Sequence, residues 1–139
     1  MIQNFHDLKI NTNGQKLYEF TRETCLWIPQ KNFKDGILNL SIMHTSASLI
    51  VQENADPDVQ KDLLNYFDKI APMDNNLYIH NTEGKDDMPA HIKTMLTAIQ
   101  ISIPFAAGKL LLGTWQGIYL WEHRRTEAIR KIIMHLSFD

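Results

Sequence analysis

The chain has 139 residues, 44% of them hydrophobic, and a formal net charge of -2, a size that suits one buried core and leaves no room for two ordinary domains. Its Lys and Arg residues are scattered, which gives no electrostatic footprint for a phosphate polymer and excludes nucleic acid as an expected partner. The longest mainly apolar stretch, residues 99–112, is broken by Pro104, Gly108 and Lys109 and falls short of the roughly 20 residues a membrane helix needs; the lone Cys25 and the lack of a basic-then-apolar leader fit a reducing, cytoplasmic setting.

In chain order, Phe5, Leu8 and Ile10 predict a first strand, and Asn11-Thr12-Asn13-Gly14 supplies the positive-φ positions of a hairpin turn into Leu17-Tyr18-Glu19-Phe20. Thr21 opens a short helix that Pro29 must end or bend, because proline removes a hydrogen bond and clashes with the preceding turn. Ile37 to Met43 reads as a strand delivering His44, and Leu49-Ile50-Val51 as another, with Thr45-Ser46 between them. The clearest helix runs from Pro57 to Ile70: Asp56 caps it, Pro57 suits its first position, and Val59, Leu63, Leu64, Phe67 and Ile70 form an apolar stripe. A second helix follows the polar segment 74–87, with Asp87 as cap, Pro89 at the first position, His91 in the first turn, and Ile92, Met95, Leu96 and Ile99 facing inward. Residues 101–105, 110–112, 118–123 and 129–136 have strand character, with a turn at Ala106-Ala107-Gly108. Strands at both ends around two main helices predict an α+β fold, with a mostly antiparallel or mixed sheet in one domain over residues 1–139.

His44, His91 and His123 fall at the ends of predicted elements, where a rigid scaffold can aim them into one cleft. At a helix start the positive end of the dipole disfavours imidazolium, which leaves His91 neutral and able to give a lone pair to a metal. Strand alternation puts His123 beside Tyr119 and Trp121, with Leu120 and Glu122 opposite. The alternative for all three is an ordinary surface or hydrogen-bonded core histidine. Glu83, Asp86 and Asp87 form an acidic cluster able to hold a hard cation, position water or act as base, with a helix cap the simpler role for Asp87. Arg124 and Arg125 offer a planar fork for a phosphate, or a solvated face. Ser46 lacks a nucleophile elbow and Cys25 lacks an activating neighbour.

His44-Thr45-Ser46-Ala47, Tyr78-Ile79-His80-Asn81-Thr82-Glu83-Gly84, Asp87-Met88-Pro89-Ala90-His91, Gly108 with Gly113-Thr114-Trp115-Gln116, and Trp121-Glu122-His123-Arg124 together closely resemble the YjbQ-like family over nearly the whole chain. The resemblance implies a compact α+β homotrimer with a metal at His44, His91 and His123. It also implies secondary thiamine-phosphate synthase activity, joining a hydroxymethylpyrimidine diphosphate to a thiazole phosphate with loss of pyrophosphate. That reaction asks for cations on the leaving group and a site shielded from water. Arg124 and Lys85 suit the first need, Trp115 or Trp121 could stack on the pyrimidine, and Ser46 and Gln116 complete the expected substrate contacts. Three imidazoles suit Zn²⁺ better than Mg²⁺, which the acidic cluster and a diphosphate would hold. Two readings follow: a metal-dependent transferase or hydrolase in which Glu83 or Asp87 handles protons, or a trimer that binds a metal or phosphorylated metabolite without turnover.

Overall fold

Period-two alternation of apolar residues governs most of the molecule, and the strands it specifies close over one another in two sheets. The structure, a computed structural model, describes residues 1–28 and 35–139. Its elements are β1 (Ile2–Asn13), β2 (Lys16–Glu19), α1 (Thr21–Trp27), β3 (Gly36–Ile42), β4 (Ala47–Glu53), α2 (Pro57–Ile70), α3 (Asp87–Leu96), β5 (Gln100–Ala106), β6 (Lys109–Leu110), β7 (Gln116–Glu122) and β8 (Glu127–Phe138), with a 3-10 turn at Asn75–Leu77. A five-stranded sheet runs in the order β1-β8-β3-β5-β6 and a three-stranded sheet in the order β2-β7-β4, and the strands pair antiparallel throughout. The α+β class holds, with α1 added to the two main helices.

The core lies between the sheets. Leu38 and Leu40 of β3, Ile103 and Phe105 of β5, and Ile132, Met134 and Leu136 of β8 meet Leu49 of β4 and Ile118 and Leu120 of β7. The other face of β7 carries Tyr119 and Trp121, which pack with Leu63, Leu64 and Phe67 of α2; the Phe67 ring stands edge-on to Trp121 at 4.6 Å. Helix α2 forms as its sequence dictates, with Asp56 Oδ1 accepting the Asp58 amide at 2.9 Å and proline at the first position.

Three expectations are corrected. The opening hairpin does not form: β1 pairs along its whole length with β8, whereas β2 pairs with β7 in the other sheet. Gly14, at φ +89°, turns the chain out of one sheet and into the next, a corner whose left-handed backbone favours glycine. The second correction concerns the start of α3, where Asp87 is the first helical residue, Asp86 holds the cap position without a side-chain capping bond, and the Asp87 carboxylate meets His80, His91 and Arg124 instead. The third is the buried face of that helix, which consists of Asp87, Pro89, Ala90, Lys93 and Thr94, while Met95, Leu96 and Ile99 are exposed. The effect expected of Pro29 lies outside the described residues. Among the described residues no helix is long and apolar enough to cross a membrane.

Candidate metal centre

Asp87 and His91 stand one turn apart on α3 and so share a face. The loop leading to the helix brings in His80. His80 Nε2 lies 2.8 Å and His91 Nε2 3.2 Å from the same oxygen, Asp87 Oδ2, and the ligand atoms of the three residues all lie within 4.8 Å of one another. The carboxylate is buried, whereas both imidazoles retain contact with solvent.

Arg124 braces this cluster from behind. Its Nη1 donates to the other Asp87 oxygen, Oδ1, its Nε to Asp86 Oδ2 at 3.1 Å and its Nη2 to the Glu83 carbonyl at 2.9 Å. Gly84 makes the loop possible: it sits at φ +104°, and a Cβ there would stand 3.0 Å from Asp86 Oδ1. Partial burial works against the charged form of Asp86, but hydrogen bonds from the Arg125 amide and the Arg124 side chain, with the Arg124 charge, outweigh it and hold the carboxyl below its ordinary value.

The hydrogen-bond roles at His91 are decided by its neighbours. Its Nδ1 lies 3.0 Å from the Thr45 carbonyl oxygen, which can only accept, so Nδ1 carries the proton. With one proton on the ring, Nε2 is then a bare lone pair facing a carboxylate oxygen at 3.2 Å. Two lone pairs at that distance repel unless a cation, either a proton or a metal ion, lies between them. Tetrahedral coordination with arms of about 2.1 Å separates its ligands by about 3.4 Å, so His91 Nε2 at 3.2 Å needs little movement, while His80 Nε2 at 2.8 Å sits at hydrogen-bond distance and would have to draw back from Asp87 Oδ2 to admit an ion. The donor set of two imidazoles and one carboxylate fits a Zn²⁺-type ion.

The other expected metal ligands are placed differently. His44 Nε2 accepts the Lys131 amide at 2.8 Å, which fixes its proton on Nδ1; desolvation first, then the Arg130 charge, lower its pKa against an opposing pull from Glu122. His123 is buried beside Trp121, with ring centroids 5.3 Å apart, and its Nε2 lies 2.8 Å from Ser48 Oγ. Burial, then the Lys93 and Arg130 charges, push its pKa down to about 3. Of the expected trio only His91 joins the three-residue cluster within this chain.

Among the expected substrate contacts, Ser46 Oγ accepts from Arg130 Nη2 at 3.0 Å, and Glu83 and Lys85 are exposed near the cluster. Trp115 is exposed in the turn before β7, and Gln116 Oε1 closes that turn on the Gly113 amide at 2.7 Å. His123 and Arg124 follow the opposite end of β7, about 20 Å away for a strand of that length. A cleft of about 400 Å³ between β2, the start of α2 and Tyr119 lies toward the Trp115 end. His80 had no expected role, although it lies in the family segment 78–84; nothing in the local pattern distinguishes that loop histidine. Glu122 and Arg130 were also missed, although each is a charge in phase with an apolar strand row.

An antiparallel two-sheet α+β domain with a histidine–carboxylate cluster at one end of its smaller sheet is thus the class the structure defines. The chain belongs to the YjbQ-like (UPF0047) family, whose model matches residues 6–138. It is 47% identical over 130 residues to the UPF0047 protein sll1880 of Synechocystis sp., covering 94% of this chain and 88% of that protein. It is also 50% identical over 102 residues to the UPF0047 protein YjbQ of Salmonella typhimurium, covering 73% of each. A solved structure of an uncharacterized YjbQ/UPF0047 protein from Clostridium acetobutylicum superposes with a TM-score of 0.82 at 32% identity, over 96% of this chain and 99% of that one. A YbjQ-like protein of unknown function from Sulfolobus solfataricus, at 19% identity and a TM-score of 0.84, shares the fold over 99% of this chain and 100% of its own.

Proposed function

We propose that this protein is a metal-dependent enzyme acting on phosphorylated small molecules, with His80, Asp87 and His91 as the resident ligands. The observation that carries this reading is the convergence of two imidazole nitrogens, His80 Nε2 at 2.8 Å and His91 Nε2 at 3.2 Å, on the single oxygen Asp87 Oδ2, while the Thr45 carbonyl holds a His91 proton on the far side. Zn²⁺ is the ion these donors favour; Mg²⁺ would enter with a diphosphate substrate. A bound ion would supply Lewis acidity, polarising a phosphoryl oxygen or a leaving group.

The chain's own groups fit the remaining tasks unequally. Arg124 has three donors engaged within the chain and serves to orient Asp87. Arg125 is exposed, touches Met73 Sδ at 3.9 Å and has no carboxylate partner among the described residues, so it and Lys85 are the cations free to meet a phosphate. The solvent-exposed side of His80 leaves room for a substrate ligand, which favours turnover over sequestration. The pyrophosphate displacement that forms thiamine phosphate is the first reaction to assay. The protein would act as a cytoplasmic homotrimer, with His44 and His123 left outside the three-residue ligand cluster of the single chain.

The test is metal analysis of purified protein, followed by a phosphate-ester and diphosphate screen with and without chelator. About one ion per chain, lost in His80→Ala and His91→Ala but kept in His135→Ala, is the expected result. Activity that persists in chelator, or metal content unaffected by both ligand variants, would overturn the reading.

A further inference from the structure

The inward rows of β7 and β8 are apolar for most of their length, with Ile118 and Leu120 on one strand and Ile132, Met134 and Leu136 on the other. Each row ends in a buried charge, Glu122 and Arg130. The two form a pronged pair: Arg130 Nε donates to Glu122 Oε1 at 2.8 Å and Nη2 to Oε2 at 2.6 Å. Apolar residues of similar volume would often stabilise the core as well as such a pair, so packing alone does not account for it.

What the pair holds does account for it. Glu122 Oε2 also accepts the His123 and Arg124 amides at 3.0 and 3.3 Å, and Oε1 accepts the Thr12 hydroxyl at 2.6 Å. On the other side Arg130 Nη2 donates to Ser46 Oγ at 3.0 Å and reaches the Ser46 carbonyl at 3.4 Å. The segment carrying Arg124 onto Asp87 is thereby tied to the segment whose Thr45 carbonyl sets the protonated nitrogen of His91.

We infer that Glu122 and Arg130 are positioning residues of the metal centre, acting through the Thr45 carbonyl to keep the His91 proton on Nδ1 and through the Arg124 amide to keep its guanidinium on Asp87. The inference rests on the reading of His80, Asp87 and His91 as metal ligands, but its local consequence does not need the ion. Outer partners that fix a ligating imidazole are worth roughly 10- to 100-fold in metal affinity.

Imidazole nitrogen NMR of the metal-free protein at mildly alkaline pH reads how far the Thr45 carbonyl holds the His91 proton on Nδ1 against the pull of Asp87 Oδ2, and calorimetric titration with Zn²⁺ reads the affinity. Arg130→Lys keeps the charge but loses the planar fork that bridges Glu122 and Ser46. It should leave His91 as a mixture of tautomers and weaken Zn²⁺ binding by roughly 10- to 100-fold. Leu136→Val, farther along β8 in the core, lowers stability without touching either loop and should keep both readouts at wild-type values. Should Arg130→Lys fail to fold, Ser46→Ala removes only the hydroxyl that Arg130 holds and should move the tautomer in the same direction. A folded Arg130→Lys or Ser46→Ala protein with the wild-type tautomer, or an equal change in Leu136→Val, overturns the inference. Wild-type protein that takes up no Zn²⁺, while its His91 tautomer still responds to Arg130→Lys, overturns the metal reading and leaves the positioning role standing.

Discussion

Acidification should destabilise the protein chiefly through one buried ring. His123 is 1% exposed, and its pKa is pushed from 6.5 down to about 3, chiefly by burial and then by the Lys93 and Arg130 charges. The unfolded chain takes up a proton on this residue near pH 6.5, whereas the native protein does not until about pH 3, so between those limits the unfolded state binds more protons. The stability that depends on neutral His123 is therefore fully present above about pH 6.5 and is lost as pH falls, by up to ~1.4 kcal/mol per pH unit and roughly 5 kcal/mol across the whole window. His44 adds to the loss in the same direction, while Asp86, whose pKa lies below the ordinary 3.8, acts only at the acid end. Urea unfolding in the presence of chelator, followed by tryptophan fluorescence between about pH 7.5 and about pH 4.5, measures the slope. His123→Gln retains a hydrogen-bonding group for Ser48 and should abolish most of it. A His123→Gln protein with the wild-type slope would refute the burial argument.

Asp87→Asn should abolish Zn²⁺ uptake in calorimetry and lower metal-free stability by about 3 kcal/mol, the low end for breaking a buried charge pair, because Arg124 is partly exposed and keeps Asp86. Wild-type Zn²⁺ affinity in that variant would remove Asp87 from the ligand set. Leu40→Ala, at a fully buried position between the sheets, should cost about 2–5 kcal/mol in urea unfolding; a loss under about 1 kcal/mol would mean the core closes over the gap. Met95→Lys with Leu96→Lys places charge on side chains that are 74% and 53% exposed in the single chain, and should reduce a homotrimer to monomer in light scattering if this end of α3 is covered by a neighbouring copy. An unchanged mass would place the contact elsewhere.

Much of the fold is readable locally. Asp56-Pro57 and the spacing of Leu63, Leu64 and Phe67 specify α2 without reference to anything distant. Alternation likewise places Trp121 and His123 on one face of β7 and Leu120 and Glu122 on the other. What local reasoning misjudges is partnership. The turn at Asn13-Gly14 has hairpin chemistry, yet β1 finds a longer partner in β8, and pairing over a full strand outweighs the preference of a turn. Met95 and Leu96 of α3 and Ile99 beyond it point away from the single-chain core, while the buried Lys93 pairs with the half-exposed Asp68 at 2.6 Å. Asp87 has the composition of a cap, but Arg124, 37 residues away in sequence, takes one of its oxygens and two histidines approach the other. Such a role is set by contacts between segments that no window of sequence contains.

The two ends of β7 bear different parts of the family's sequence pattern. The Gly113-Thr114-Trp115-Gln116 segment stands at one end of the strand and His123-Arg124 at the other, about 20 Å apart along a seven-residue strand. A small substrate cannot touch both within one chain. Either the Trp115 segment serves the fold alone, or a second copy delivers it to the metal end of the first. The exposed hydrophobic side chains Met95 and Leu96 lie on the helix that carries Asp87 and His91, and Ile99 lies just beyond it, so a copy covering them would sit on the same element as two of the ligands. In the homotrimer proposed here each chain would then supply His80, Asp87 and His91 to one site and, from the Trp115 end of its β7, an aromatic wall to the next.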